Sequence, residues 1–376
     1  MMQNEKPFKV ICSGDEVYLK YSNKLLLIDL YNNIIRFENP EIFQKKVISK
    51  INLTDAILGI INIKNIEYVL YVTSSEVVGY MKNEIIYRIS EVDFCEIPNR
   101  LISINDEEKI TEIKQGISNL LKLGFYYSFG LDLTNSQQNI AKILYNMNIQ
   151  NNNFNNNDLN EKMKRIYMTS YKKYFFNYNL YKRFLNIETK QPIDYTFIMP
   201  IICGYVGMFE HEINSKKYQL ILITRRSQNF AGTRYNTRGI NDDGNVANFC
   251  ESEQILITDN IMLSFSQLRG SAPVFFDQIG LTAYTDITRN KDLTKLAFSK
   301  HIKEMNQDYP LIYMINLLNQ KKTTEAPIIN EFENQIKLIQ NNDNIRYTYF
   351  DMQNECPKDN YSRIDVLIFL HFFPLS

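Results

Sequence analysis

Residues 224–256 read TRRSQNFAGTRYNTRGINDDGNVANFCESEQIL, and this stretch sets the terms for the rest of the chain. It gathers Arg225, Arg226, Arg234 and Arg238 with Gly232, Gly239 and Gly244, followed by Asp242, Asp243, Asn245, Asn248, Glu251 and Glu253. Guanidinium forks match the oxygens of phosphate, and glycine lets a loop bring its backbone N–H groups close to an anion. A polyphosphorylated ligand is one reading of these residue types. The other is that the arginines pair with Asp242, Asp243, Glu251 and Glu253 and pin a long loop. Residue types alone leave both open.

Just upstream, TFIMPIICGYVGMFEHEI and YQLILITRRS read as two strands joined by a polar turn at Asn214–Lys217, which delivers Arg225 and Arg226 at a strand end. From Phe8 to Ile97 short runs such as VYLKY, KLLLIDLY, IIRF, AILGIINI, EYVLYVT and EIIYRI alternate with Asn, Asp, Ser and Lys turns, which predicts a strand-rich, antiparallel beginning. Ile110, Ile113, Ile117, Leu120 and Leu121 fall at helical spacing behind Glu107 and Glu108, predicting a helix over 107–123. The Asn-rich tract 146–160 lacks apolar periodicity and is expected to be a surface insertion, with a second helical region over 161–185 and a break near Gln191-Pro192. Downstream, LTKLAFSKHIKEMNQ predicts a helix, and LIYMINLLNQK and IRYTYFD predict strands, so this half has an α/β character. The expected fold class is α+β, with an N-terminal subdomain over 1–190 and a catalytic subdomain over 191–376.

With 42 Lys+Arg against 42 Asp+Glu, no global field draws the chain to nucleic acid or to an anionic membrane. The 44% hydrophobic content supports a real core. Five cysteines without a Cys-x-x-Cys pair argue against a disulfide framework or a structural zinc, and predict reduced thiols. His211, His301 and His371 are scattered without ligand spacing, so no metal and no cofactor is expected. No secretory signal opens the sequence, which places the expected start in the cytosol, and Val366–Leu375 is too short to span a bilayer.

The same segment closely resembles the signature block of SAC-domain phosphoinositide phosphatases, in which AGTRY, RG, DDGNVANF and ESEQI recur in this order. Further collinear likeness lies in FYYSFGLDLTNSQQ (125–138), KKYFFNYNLYKRF (172–184), SFSQLRGSAPVFFDQ (264–278), IYMINLLNQK (312–321) and YTYFDMQNEC (347–356). Phe176 and Phe276 stand where the family pattern often has Trp. The resemblance implies a strand-rich SAC subdomain followed by a cysteine-phosphatase-like α/β subdomain, here incomplete. It also implies hydrolysis of phosphatidylinositol phosphates through a phosphocysteine, without a metal, at the cytosolic face of ER, Golgi or other endomembranes.

The family's Cys-x5-Arg-Thr loop is expected beyond the FD-x-x-x-EC block. None of Cys12, Cys203 and Cys250 has Arg six positions on; Arg100 follows Cys95 one residue early, and Arg363 follows Cys356 one residue late. The spacing matters, because the loop must wrap one phosphoryl group while arginine grips two oxygens and the thiolate lies in line with phosphorus. No catalytic residue is therefore assigned within the chain. The expected pocket residues are Arg225, Arg234, Arg238, Asn245, Asn248 and Arg269; Gly232, Gly239, Asp242, Asp243, Gly244, Glu251 and Glu253 are expected to shape the loop. The residues after Ile368 read as an unrelated tail, as expected from a truncated gene model, an unspliced intron or a cloning artefact. The expected partners are phosphoinositide lipids at a membrane surface and no nucleic acid. The alternative to an enzyme is a non-catalytic SAC module that binds phosphoinositide or protein.

Overall fold

A computed structural model describes residues 6–29, 32, 34–41, 46–98, 107–146, 158–185, 194–232, 236–278, 285–339 and 344–365. The chain divides into two units: 1–228 with 251–267, and 229–250 with 268–376. The fold class is α+β, as expected, and antiparallel strands dominate its first part.

In the first unit β1 (Phe8–Ser13), β2 (Glu16–Tyr21), β3 (Lys24–Asp29), β4 (Ile34–Phe37) and β5 (Lys50–Thr54) form a sheet in the order β4-β3-β2-β1-β5. The chain continues through β6 (Ala56–Ile63), β7 (Ile66–Met81), β8 (Glu84–Glu96), α1 (Glu107–Leu121), β9 (Phe125–Tyr127), α2 (Gln137–Asn146), α3 (Leu159–Thr169), β10 (Ile202–Ile213), β11 (Lys216–Arg226), β12 (Cys250–Ile257) and β13 (Met262–Arg269). Its strands make an eight-stranded sheet, β13-β12-β11-β10-β9-β8-β7-β6. Three of its hairpins close with both turn residues at positive φ, Lys64-Asn65, Lys82-Asn83 and Asn214-Ser215. That backbone matches the right-handed twist of the flanking strands, and Asn tolerates it well.

The middle of this sheet is buried on both faces. Ile57, Val69, Tyr71 and Cys95 face Val10, Val17, Leu19, Leu26 and Ile28 of the smaller sheet. Ala56, Leu58, Leu70 and Val72 alternate to the opposite face, where Leu121, Met163 and Ile166 of α1 and α3 cover them. Successive strand side chains point to opposite faces, so continuous apolar runs are what a doubly covered sheet requires.

One expectation changes here. The helix predicted over 161–185 stops at Thr169, where Ser170 donates from both its backbone N–H and its hydroxyl to the Ile166 carbonyl. A 3₁₀ helix follows only at Tyr178–Phe184. Asn177 explains the irregular path: its amide donates to the carbonyls of Leu58 (3.1 Å) and Met199 (3.0 Å) and accepts from the Ile201 N–H (3.0 Å), a bracket a regular helix would not present. The break expected near Gln191-Pro192 lies outside the described residues. The first unit runs to Gln228 and takes in 251–267, and β10–β13 continue its sheet. Of the Asn-rich tract, 147–157 lie outside the described residues, and Asp158 accepts from the Asn160 N–H at the start of α3.

The second unit contains β14 (Phe276–Gln278), β15 (Thr285–Ile287), α4 (Lys291–Asp308), β16 (Ile312–Asn316), α5 (Ala326–Ile339), β17 (Ile345–Tyr349) and the short α6 (Met352–Glu355). The parallel pair β16–β17 is joined through α5, a β-α-β crossover. Its core is Val274, Phe276, Phe298, Ile302, Ile328, Phe332 and Ile336. Phe276 and Phe176, at the two Trp-like positions, both pack against core clusters.

Candidate functional site

Strand β11 carries Arg225 to the centre of the first unit, and β12 carries Glu251 and Glu253 on one face, two residues apart. Arg225 is 0% exposed. Its Nη1 donates to Glu251 Oε1 at 2.6 Å and its Nη2 to Glu253 Oε2 at 2.5 Å. Nε donates to the Leu133 carbonyl at 2.6 Å, and Nη2 also reaches the Asn135 carbonyl at 2.9 Å. Glu253 Oε1 in turn accepts from the Gln137 N–H (2.7 Å) and the Ser264 hydroxyl (2.6 Å). Burial disfavours the Arg225 charge, but the carboxylates of Glu253 and Glu251 outweigh it and hold the guanidinium protonated.

Beside this network Asp132 accepts from the Thr134 N–H (2.9 Å), the Thr134 hydroxyl (2.6 Å) and the Thr169 hydroxyl (2.9 Å). Residues of FGLDLTNSQQ, ESEQI and SFSQ thus meet around one buried cation. Burial pushes the Asp132 carboxyl above the usual range, more strongly than those hydrogen bonds and the Arg225 charge lower it. The folded protein then keeps a proton that the unfolded carboxyl, with a pKa of about 4, releases. Stability from this group is fully present below that pH and is lost as pH rises through the raised folded value. The stability advantage of the native sequence over Asp132→Asn should therefore shrink from about pH 4 toward neutrality in urea titrations. A difference that stays flat would show that Asp132 titrates alike in both states.

Arg225 was expected to face a phosphate pocket, and the structure corrects this. Its donors are committed to four protein acceptors, so it is a buried structural cation. The pairing with Glu251 and Glu253 is the second of the two readings that residue types left open.

The DDGN segment belongs to the second unit and builds a tight turn. Asn241 Oδ1 accepts from the N–H groups of Asp243 (3.1 Å) and Asn245 (2.8 Å), while the Gly244 N–H donates to the Asn241 carbonyl (3.0 Å). Ile240 and Val246 pair across it. Gly244 sits at φ +86° against α4, where an added Cβ would lie 2.8 Å from Lys300 Cβ, 2.9 Å from the His301 nitrogen and 3.0 Å from the Ala297 carbonyl oxygen. Lys300 Nζ donates to the Asp242 carbonyl at 2.8 Å, and Phe249 meets His301 edge-on. Asp242 lies 3.8 Å from Arg289, both exposed, a weak pair, and Asp243 is exposed. Gly239 donates its N–H to the Ser271 hydroxyl at 2.9 Å, and Asn248 donates its amide to the Thr237 carbonyl at 3.1 Å. These contacts seat the loop on its own unit.

Of the remaining candidates, Arg238 and Asn245 are half-buried, Gly232 packs against Thr237, and Arg269 is exposed at the end of β13. Arg234 lies outside the described residues. Cys356 caps the end of α6, and Arg363, seven positions on, donates to Glu355 at 2.9 Å, so these two do not form a phosphate loop. Among the described residues no group of three or more His, Cys, Asp and Glu could hold a metal ion. No described helix is long and apolar enough to cross a membrane. The roles of Asp132, Thr134, Asn135, Thr169 and Asn177 escaped the sequence reading; short polar side chains inside otherwise apolar blocks were the available signal.

The family model described as SacI homology domain matches residues 55–357. The chain belongs to this family. Among its relatives, the phosphatidylinositol-3-phosphatase SAC1 of Saccharomyces cerevisiae is 31% identical over 321 residues, covering 83% of this chain and 48% of that protein. SAC1-A of Danio rerio, also a phosphatidylinositol-3-phosphatase, is 28% identical over 83% of this chain and 51% of its own length. The phosphoinositide phosphatase SAC6 of Arabidopsis thaliana is 27% identical over 85% of this chain and 51% of its own length. The chain thus spans about half the length of these relatives.

Proposed function

We propose that the protein containing this chain removes phosphate from phosphatidylinositol phosphates at the cytosolic face of endomembranes, through a phosphocysteine, and that these 376 residues supply the body of the domain without its nucleophile. The single observation that carries this reading is a SacI homology match over 55–357 in a chain that contains no Cys-x5-Arg. In the full reaction a thiolate attacks phosphorus, arginine holds the equatorial oxygens, and an acid protonates the departing inositol oxygen. The chain's own contribution is a rigid framework, with Arg238, Asn245, Asn248 and Arg269 as the residues that meet the phosphorylated headgroup. The expected division of labour is an N-terminal SAC portion and a catalytic portion that the 376 residues leave without its Cys-x5-Arg loop.

The test is phosphate release and flotation with vesicles containing phosphatidylinositol phosphates. The 376-residue chain should release no phosphate above blank, and its vesicle binding should saturate and weaken in Arg238→Ala and Arg269→Ala. Phosphate release by this chain, or binding indifferent to the phosphoinositide, would refute the reading. The alternative reading is a non-catalytic module that binds phosphoinositide or protein. Sequencing the transcript past the codon for Ser376 separates the two: an in-frame Cys-x5-Arg-Thr supports the enzyme, and a confirmed stop supports the module.

A further inference from the structure

Cys12 and Cys95 are 83 positions apart, yet their sulfurs lie 2.8 Å from each other. Cys12 sits on β1 of the five-stranded sheet, paired across to Val17 and Lys50. Cys95 sits on β8 of the eight-stranded sheet, paired with Val69. Both belong to the core between the two sheets, and both are free thiols. The placement is firm on the Cys12 side, because Ser49 binds the Cys12 carbonyl through its N–H (3.0 Å) and its hydroxyl (2.9 Å). On the other side Cys95 is 6% exposed and lies two residues after Asp93, which accepts from the Tyr71 hydroxyl at 2.8 Å.

We propose that Cys12 and Cys95 are an oxidation site, where hydrogen peroxide converts the thiol pair into a disulfide that staples the two sheets of the first unit together. A disulfide needs sulfurs about 2.05 Å apart, so they must close by less than ~1 Å, which side-chain rotation can supply. The order of events follows from access. Cys12 is half-buried and meets solvent, whereas Cys95 is enclosed and its thiol is pushed up by burial and by the neighbouring Cys12.

The Cys12 thiolate attacks the peroxide O–O bond, giving a sulfenic acid and releasing water once the departing oxygen is protonated. Cys95 then gives up its proton and attacks the Cys12 sulfur; the S–O bond breaks, and the hydroxyl leaves as a second water. Two thiols are oxidised by two electrons, and one peroxide is reduced to two waters. This site is independent of the proposed lipid reaction, since neither cysteine lies in a Cys-x5-Arg.

The probe is hydrogen peroxide, applied to the whole 376-residue chain and followed by peptide mapping without reductant. The expected result is a peptide linking Cys12 to Cys95, with the loss of two hydrogens, fully reversed by dithiothreitol. The Tm should rise by roughly 5 °C, because the link closes a long loop in the unfolded chain. Cys12→Ser should abolish both the link and the rise, and Cys356→Ser should keep both. Over-oxidation of Cys12 without a link, or a link between other cysteines, would overturn the proposal. Should the serine variants fail to fold, mapping of the native sequence decides alone.

Discussion

Replacing Arg225 with alanine is expected to cost about 3–5 kcal/mol of folding stability, the range for removing one partner from a buried charge network. Total stabilities lie at about 5–15 kcal/mol, so the first unit would be close to unfolding at room temperature. The loss has two physical parts. Glu251 and Glu253, 1% and 0% exposed, would be left buried with no cation opposite them. The carbonyls of Leu133 and Asn135 would lose a donor inside the core. Arg225→Lys should recover only part, because one ammonium cannot span four acceptors on three sides. Urea unfolding measures this directly; a midpoint within error of the native chain would show that the network contributes nothing.

Gly244→Ala should be the second large effect, about 2–5 kcal/mol. A left-handed backbone costs a residue with a Cβ about 1–2 kcal/mol, and overpacking costs about 1–3 kcal/mol more. Two of the three atoms the Cβ would meet, the His301 nitrogen and the Ala297 oxygen, are backbone of α4 and cannot swing away. Gly116→Ala is the control: it lies in α1 with nothing within 4 Å of the added atom, and should stabilise by about 0.5–1 kcal/mol. Hydrogen exchange should locate the Gly244→Ala damage in residues 239–250 and α4. Equal protection in variant and native chain would mean that the turn is not anchored on the helix.

Much of the strand order was legible because its signals are local. AILGIINI and EIIYRI fall within β6 and β8, and the turn, expected over Asn214–Lys217, closes at Asn214-Ser215, where polar residues interrupt two apolar runs. The helix starting at Glu107 and the helix over LTKLAFSKHIKEMNQ were equally local. What escaped depends on distant partners. Arg225 is one of several arginines in its segment, and nothing nearby says that its acceptors include carbonyls 92 and 90 positions away. Asn177 looked like one more polar residue in a helix because the groups it brackets belong to β6 and to residues 199–201. The Cys12–Cys95 contact is of the same kind, made by two sheets packing and invisible to any spacing rule.

The first unit is also broken in sequence, since residues 229–250 belong elsewhere and the unit resumes at Glu251. During synthesis this puts its parts on a schedule. Glu253 leaves the ribosome 28 residues after Arg225, a wait of roughly 1.5–6 s at about 5–20 residues per second. Until then β11 carries a cation with no carboxylate to receive it, and burying it would be too costly. The nascent chain can assemble the hairpins of residues 8–98 at once, but the β11 edge must stay in water until β12 emerges. A pause or a premature stop between those two strands would leave that edge open to other chains, which makes this interval the vulnerable moment in the protein's biogenesis.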